Sequence, residues 1–443
     1  MFTTLKNAWK VPELRKKLIY TMMIILIFRI GCYITVPFLD PDIVASMFEG
    51  AGGTIMDYFD TLSGGALSQG SLFALSIQPY INASIIMQLL TYALPVLENM
   101  QKEGEEGRKK IQKITAFVAL GISLVMSYAY YVTQRGSGAV LYTPAAHGLA
   151  GWFAGAVIVA SFTAGAMLVV WLGNTANQKG IGNGISVILF AGIVARGPDA
   201  IFSMISLAMV NPAQYAFIVP LVLIIFVLMI GFIVFMNESE RRIPIQYAKR
   251  VVGRKQYGGQ STHIPIKIAM SGVMPIIFAM AIMALPSTIA MFAPPPVPME
   301  GVEFTFWQNF YIGFLNFFSY QSPWYGVLYF LLIIAFNYFY VSMQYNPIEM
   351  ANNLRQNNGA IPGIRPGKPT SDFIRKVLSK ITLVGAVFLG VIAIFPILTN
   401  AAFPELNIAM GGTSILIIVS VVLETVRTLE SQMMMRHHKG FLE

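Results

Sequence analysis

Charged residues are scarce in this sequence. Asp, Glu, Lys and Arg make up 12% of its 443 residues, whereas hydrophobic residues make up 56%. Soluble domains carry about 25% charged residues, and a soluble chain of this length would divide into about two or three domains with polar surfaces. The composition therefore excludes an ordinary soluble protein and predicts a chain whose outer surface faces lipid.

Cysteine and histidine are also rare. The single cysteine, Cys32, lies in an apolar run, so no disulfide forms within the chain and no cysteine-based metal site can be built. The four histidines are scattered, and His437 and His438 lie near the C-terminal end, where paired histidines are usually solvated. We expect neither a bound metal nor a cofactor.

Ionisable residues are nearly absent from the apolar runs. Membrane enzymes and ion-coupled transporters place such residues inside their spans. The sequence contains no HExxH, GxSxG or Walker motif, and the glycine-rich stretch 180–184 lacks the Lys and Ser/Thr of a phosphate-binding loop. We therefore expect a protein that is not an enzyme. A secondary transporter with inverted repeats is the main alternative.

Long apolar runs are what the sequence does have. A helix needs about 20 apolar residues to cross the hydrocarbon core, and ten runs are candidates. They are 18–37, 72–94, 114–133, 151–172, 185–205, 215–236, 268–291, 324–344, 381–399 and 412–430. The fifth is interrupted by Arg196, Pro198 and Asp199.

The positions of the basic residues predict the orientation of these runs. All but three of the 30 Lys and Arg residues lie before the first run, in alternate loops or near the C-terminal end. Arg135 and Arg196 lie on the other side, and Arg29 lies within a run. Because positive residues accumulate in cytoplasmic loops, we expect both termini in the cytoplasm. The net charge of +9 then reflects membrane topology rather than nucleic-acid binding.

Ten runs divide into two groups of five, with the break in the external segment 206–214. An odd number of spans per half turns the second half over in the membrane, as in an inverted repeat. We therefore expect an all-α polytopic membrane protein with an N-terminal half at 1–205, a hinge loop at 206–214 and a C-terminal half at 215–443. The halves share no clear sequence identity.

Residues 54–71, between the first two runs, are too short and too polar to cross a membrane. Apolar side chains are mixed here with Asp57 and Asp60, and the segment breaks at Gly64 and Gly65. Two interpretations are open. The segment is either an amphipathic helix on the external surface or a re-entrant segment inside a water-filled cavity, where irregular backbone is tolerated.

Two predicted cytoplasmic loops, 237–270 and 346–380, are longer than plain connectors. The first contains the strand-favouring stretches RIPIQY at 242–247 and KRVVGRK at 249–255, and the second contains the turn IPGIRPG at 361–367. Proline-stiffened turns flanked by charges favour an ordered docking surface.

Six short motifs in this chain occur together, in the same order, in one family. They are SIQPYINASII at 76–86, GIGNGIS at 180–186, QYAKR at 246–250, QSTHIP at 260–265, PGIRPG at 362–367 and GGTS at 411–414. With these motifs on ten predicted spans, the chain resembles the SecY family, the channel-forming subunits of bacterial Sec protein translocons. The resemblance covers nearly the whole chain.

The resemblance implies ten transmembrane helices in two inverted five-helix halves around an hourglass pore. Residues 54–71 would be a plug that closes the external funnel, and the second and seventh spans would form a lateral gate. The implied plug residues are Met56, Tyr58, Phe59, Leu62, Gly64 and Gly65. The implied ring at the constriction consists of Ile77, Ile81, Ile185, Leu189, Ile277 and Ile417.

The resemblance also implies a function and partners. The chain would pass unfolded secretory polypeptides across the bacterial cell membrane and release membrane segments sideways into lipid. SecE and SecG would be companion subunits, and signal sequences and nascent polypeptides would be the substrates. The motor SecA and the ribosome would dock on the two loops at Lys249, Arg250, Arg254, Lys255 and Arg365. An apolar ring suits this task, because it excludes water and ions by dewetting when it is narrow.

Overall fold

A computed structural model describes residues 6, 8–48, 55–247, 250–252, 255–257, 261–292, 305–319, 322–402 and 412–437. The chain divides into two units. The first consists of Met1–Val219, Met283–Ser322 and Pro396–Glu443, and the second of Pro220–Ile282 and Pro323–Phe395.

Helices dominate the described residues. The first ten in chain order are α1 (Pro12–Gly31), α2 (Pro41–Phe48), α3 (Ile55–Ser63), α4 (Gln78–Ala93), α5 (Pro95–Lys102), α6 (Glu105–Gly136), α7 (Pro144–His147), α8 (Leu149–Lys179), α9 (Gly184–Val210) and α10 (Pro212–Glu238). The following elements are β1 (Glu240–Tyr247), β2 (Arg250–Val252), β3 (Lys255–Tyr257), β4 (Ser261–Lys267), α11 (Met274–Met283), α12 (Leu285–Phe292), α13 (Phe306–Phe317), α14 (Pro323–Gln344), α15 (Pro347–Gln356), β5 (Gly359–Ala360), α16 (Lys368–Ala402) and α17 (Gly412–His437).

Within the described residues, six helical stretches are long and apolar enough to cross a membrane. They are Glu105–Gly136, Leu149–Lys179, Gly184–Val210, Phe217–Glu238, Pro323–Gln356 and Lys368–Thr399. Helices α4 and α5 meet at an angle of 98°, and taken as one bent span they make a seventh. The predicted number was ten. Helix α1 is not among the long apolar stretches, because it carries Arg15, Lys16 and Lys17 near its start. The run at 268–291 is divided between two short helices, α11 and α12.

The hinge loop predicted at 206–214 is wrong in its extent. Helix α9 continues to Val210 and α10 begins at Pro212, so Asn211 alone separates them. Proline disfavours the α-helical conformation in the residue before it, and Asn211 has φ −124° and ψ 72°. Helix α9 also runs without interruption past Arg196 and Pro198.

Glycine allows α8 to pack closely against the turn that precedes α4. Gly165 on α8 lies so near the carbonyl group of Leu72 that a Cβ atom would overlap it. In a bilayer, helix association depends on such close packing, because the surrounding lipid is as apolar as the side chains.

Large apolar side chains cover the outside of α10. Phe217, Val227 and Phe235 are 81%, 68% and 67% exposed. A run of exposed apolar residues of this size is unfavourable in water and favourable in lipid. Helix α10 therefore has the surface of a lipid-facing span.

The two long loops form one folded module, which we call the loop module, in the second unit. Strand β1 pairs antiparallel with β4, with Ile243 opposite Ile264, and β5 of the second loop pairs with the other edge of β1. The stretch 242–247 therefore forms a strand, as its composition predicted. Buried apolar residues of the sheet, of the turn after β5, of α15 and of α16 make a common core: Ile243, Ile245, Ile266, Leu354, Ile361, Ile374 and Leu378.

Candidate constriction, plug and docking surface

The plug segment, residues 54–71, consists of α3 and the turns that follow it, and its described part is buried in the first unit. Asp60, Thr61 and Ser63 are each 1% exposed, and Leu62 is 7% exposed. An amphipathic surface helix would keep its polar side chains in water, so that interpretation of the segment is wrong. Thr54 lies outside the described residues, and so do the side chains of Met56 and Tyr58.

A partly buried ion pair joins the plug segment to α9. The guanidinium of Arg196 pairs with the Asp60 carboxylate, and its Nη2 atom lies 3.4 Å from the Ser68 hydroxyl. The other carboxylate oxygen of Asp60 accepts a hydrogen bond of 2.7 Å from the backbone N–H of Ser68. Both oxygens of a carboxylate that is withdrawn from solvent thus have partners, as a buried charge requires.

A second arginine holds the end of the plug helix from α1. Arg29 donates a hydrogen bond of 2.8 Å from Nη1 to the carbonyl oxygen of Gly64. Its Nη2 donates to the Tyr33 hydroxyl at 3.1 Å, and the guanidinium lies 5.3 Å from the centre of the Tyr33 ring. Arginine presents several donors in a rigid plane, which allows it to bind both partners at once.

Glycines permit the plug segment to approach α9. Gly64 and Gly65 end α3 with φ values of 74° and 85°, a left-handed conformation that suits glycine. On α9, a Cβ atom at Gly192 would lie 2.5 Å from the carbonyl oxygen of Leu62. Any larger residue at this position would push the plug segment away.

Hydrogen bonds and apolar contacts complete the seating of the plug segment. The Ser63 hydroxyl donates to the Asp60 carbonyl oxygen at 2.9 Å and accepts from the Leu67 N–H at 3.2 Å. The Tyr130 hydroxyl donates to the Leu67 carbonyl oxygen at 2.6 Å. Phe59 packs on the apolar cluster that contains Tyr130 and Leu67.

Two of the predicted ring residues, Ile77 and Ile185, both lie beside Gly173 on α8. A Cβ atom built on Gly173 would lie 3.6 Å from Cδ1 of Ile77 and 3.2 Å from Cγ1 of Ile185. Ile77 is fully buried. It precedes α4 rather than lying inside it, but the Ile81 N–H still donates to its carbonyl oxygen at 3.1 Å, which keeps the predicted spacing.

The other four predicted ring positions lie on four different helices. Leu189 is 6% exposed and follows Ile185 by one turn of α9, and Ile417 is 3% exposed on α17, which packs against α9. Ile81 is half-buried on α4. Ile277 is half-buried on α11, in the second unit.

The start of α9 positions its two predicted ring residues, Ile185 and Leu189. The Asn183 side chain caps the helix by accepting hydrogen bonds from the N–H groups of Ile185 and Ser186 at 3.1 and 3.5 Å. The Asn177 side chain accepts from the Gly184 N–H at 2.6 Å. Capping satisfies backbone donors that the helix cannot. The motif at 180–186 is therefore a helix start that fixes the first turn of α9.

Arg365 projects from an ordered turn of the loop module. Gly363 and Gly367 have φ values of 81° and 106°, and the Thr370 hydroxyl donates to the Arg365 carbonyl oxygen at 2.8 Å. The Ile364 N–H donates to the Ile361 carbonyl oxygen at 3.0 Å. The Arg365 side chain is exposed. Of the other predicted docking residues, Arg250 and Lys255 lie in β2 and β3, whereas Lys249 and Arg254 lie outside the described residues.

Comparison with known proteins identifies the family. A family model described as SecY matches residues 71–426. The protein translocase subunit SecY of Thermotoga maritima is 40% identical, with 100% of this chain and 98% of that protein covered. The chain belongs to the SecY family. Accordingly, it is a polytopic membrane protein that forms a protein-conducting channel, and it is not an enzyme.

Solved structures agree with this fold. One described as the structure of a protein conducting channel has a TM-score of 0.60 and 18% identity, with 96% of each chain covered. Another, with a TM-score of 0.58, 18% identity and the same coverage, is described by its plug domain, which in that SecY protein stabilises the closed state and maintains a membrane seal. The secondary transporter that composition left open is not favoured by any of these SecY comparisons.

Sequence reasoning missed the contribution of Arg196 and Arg29. Arg196 was counted as an external charge, and Arg29 as a charge within a span. One signal was available, because Asp60 and Arg196 are opposite charges in segments with few other ionisable residues. Such charges at membrane depth tend to pair with one another.

Proposed function

We propose that this SecY-family channel carries unfolded secretory polypeptides across the bacterial cell membrane, with both termini in the cytoplasm, and releases membrane segments sideways into lipid. Signal sequences and nascent polypeptides are its substrates. Ten spans in two inverted halves, 1–205 and 215–443, would surround the pore. The observation that carries the proposal is a single face of α9, on which ring positions and plug contacts follow each other.

Along α9, this face reads Ile185, Leu189, Gly192 and Arg196. Spacings of four, three and four residues bring side chains onto one side of a helix. The first of these residues packs near Ile77, and the last two contact the plug segment. At 1.5 Å per residue the four positions span about 16 Å, roughly half of the hydrocarbon core. An aliphatic constriction and a plug would therefore lie in sequence along the same path.

The ring and the plug segment would have different roles because their side chains differ in chemistry. The ring of Ile77, Ile81, Ile185, Leu189, Ile277 and Ile417 offers aliphatic surface and no charge, so it excludes ions without binding any particular sequence. The plug segment occupies its buried site when no polypeptide passes. Its contacts are hydrogen bonds, one ion pair and van der Waals packing, all of which are reversible.

The loop module would be the docking surface for SecA and the ribosome. Its sheet and apolar core hold the turn that carries Arg365, so the guanidinium is presented without needing to be ordered by a partner. Arginine binds carboxylates and phosphates through two parallel hydrogen bonds. SecE and SecG would be companion subunits, and membrane lipids would surround the spans.

Reconstitution tests this function. Proteoliposomes that contain the chain with SecE and SecG should import a secretory precursor when SecA and ATP are supplied. A variant without residues 55–63 should still import the precursor but conduct ions at rest, because the plug segment seals the channel and does not drive transport. Failure of both variants to import, together with uptake of a small solute, would contradict the proposal.

A further inference from the structure

We propose that Arg196 retains the plug by compensating the charge of Asp60, and that this pair sets how stringently the channel selects signal sequences. The inference rests on the proposed sealing role of the plug segment. It assigns to one ion pair a substantial part of the free-energy difference between the closed and the open positions of the plug, beside the hydrogen bonds and apolar contacts that also hold it.

The pair is asymmetric in its burial. The side chain of Asp60 is 1% exposed, whereas that of Arg196 is 32% exposed. A carboxylate withdrawn from water must be compensated nearby, but a guanidinium with a third of its surface in solvent keeps part of its hydration. The closed plug therefore depends on the arginine more than on the aspartate.

The partners of Asp60 differ in whether they move with it. The Ser68 N–H, which binds one carboxylate oxygen, belongs to the plug segment itself. Arg196 belongs to α9, which also carries ring positions. When the plug segment leaves its site, the bond to Ser68 can persist, whereas the ion pair with Arg196 must break.

The contact from α1 is of a different kind. Arg29 donates to the Gly64 carbonyl oxygen, a neutral acceptor that every residue supplies. That bond holds the position of the turn but does not depend on the charge of the plug segment. The ion pair is consequently the contact through which a change of charge on either side would alter plug retention.

The physical signature is charge balance. Replacing Arg196 alone leaves a buried carboxylate without a counter-ion, and loss of one partner from a buried pair commonly shifts an equilibrium about a hundredfold or more. Replacing Asp60 alone leaves a cation that reaches solvent, so its effect is smaller. Neutralising both groups with similar shapes removes the charge and its desolvation cost together, and the closed state is then restored.

Selection of signal sequences follows from this equilibrium. A signal sequence opens the channel only by supplying binding free energy that exceeds the cost of plug displacement. When the plug is already released, the signal sequence needs to supply less binding free energy to open the channel. Precursors with defective signal sequences would then be exported.

Cys32 provides a readout of plug position. It is the single cysteine of the chain, it is 2% exposed, and its Sγ atom lies 3.5 Å from the Ser63 carbonyl oxygen of the plug segment. Displacement of the plug segment uncovers this thiol. The rate of maleimide labelling therefore follows the fraction of channels with a displaced plug.

The experiment compares Arg196→Gln, Asp60→Asn, the double variant and Arg196→Lys in proteoliposomes with the companion subunits. We expect Cys32 labelling to rise about a hundredfold for Arg196→Gln, less for Asp60→Asn, and little for the double variant and for Arg196→Lys. Export of a precursor with a defective signal sequence should follow the same order. Arg135→Gln, at an exposed arginine in the last turn of α6, is the matched control.

Equal labelling of Arg196→Gln and the double variant would overturn the charge-balance proposal, as would wild-type labelling of Arg196→Gln. Recovery in the double variant shows that Arg196→Gln does not simply prevent folding. The variant without residues 55–63 distinguishes the sealing role of the plug segment from its retention by the ion pair. If it labels rapidly and conducts ions while Arg196→Gln does neither, the plug seals but the ion pair does not retain it. If it does neither, the sealing role itself is wrong.

Discussion

The carboxylate of Asp60 in the plug segment pairs with the guanidinium of Arg196 on α9, 136 residues further along the chain. Arg196 lies on the helix face that also carries Ile185, Leu189 and Gly192. One helix thus carries two of the six aliphatic side chains of the proposed constriction and also the arginine that pairs with the plug segment. A displacement of α9 would act on both at once.

The close approach at Gly192 predicts a steric route to plug release. In Gly192→Ala, the new methyl group would lie 2.5 Å from the Leu62 carbonyl oxygen, so the plug segment must shift. We expect a severalfold rise in resting ion conductance and faster labelling of Cys32, with export retained. Gly121→Ala on α6 is the control, because a Cβ atom there meets nothing within 4 Å. Wild-type conductance of a well-folded Gly192→Ala channel would show that the contact is not tight in the membrane.

The ring predicts an ion leak when its aliphatic surface is removed. Ile81→Gly, or a polar residue at Ile277, should wet the constriction and raise conductance in planar bilayers while export continues. Ile86→Gly is a control on the same helix, because Ile86 is 42% exposed. Unchanged conductance in single substitutions at all six ring positions would refute the assignment.

At Arg365, we expect the geometry of the side chain to matter as well as its charge. Arg365→Glu should slow SecA-dependent import about tenfold or more, and Arg365→Lys should also be defective, since lysine cannot form two parallel bonds to a carboxylate or phosphate. Assembly with SecE should stay normal. Arg355→Glu, an exposed arginine in the last turn of α15, tests charge reversal alone in the same loop. Import at the wild-type rate by both Arg365 variants would show that this arginine contributes only an ordinary cytoplasmic charge.

The distribution of Lys and Arg predicts that the loop module lies in the cytoplasm. In a Cys32→Ala background, a cysteine at position 255 should resist an impermeant maleimide added to intact cells and react after the cells are opened. A cysteine at position 135 should react from outside in the same assay. Labelling of position 255 in intact cells would reject the topology.

Several features followed from the sequence alone because they are local or compositional. Scarcity of charge indicated a membrane protein, and ordered short motifs indicated the SecY family. The turn at 361–367 was predictable as well, since its prolines and glycines favour one backbone conformation whatever surrounds them. The strand at 242–247 followed from its β-branched residues in the same way.

The tertiary structure decided which distant residues meet. Asp60 and Arg196 each resemble isolated charges in the sequence, and only the packing of α3 against α9 makes them partners. Gly192 became informative only when the Leu62 carbonyl group was found beside it. Among the described residues, fewer helices have spanning length and apolarity than the ten predicted runs, in part because Pro95 permits a sharp bend and Arg15, Lys16 and Lys17 extend α1 beyond its apolar part. Apolar periodicity indicates how much of a helix surface is buried. Which element packs against that surface depends on the tertiary structure of the whole chain.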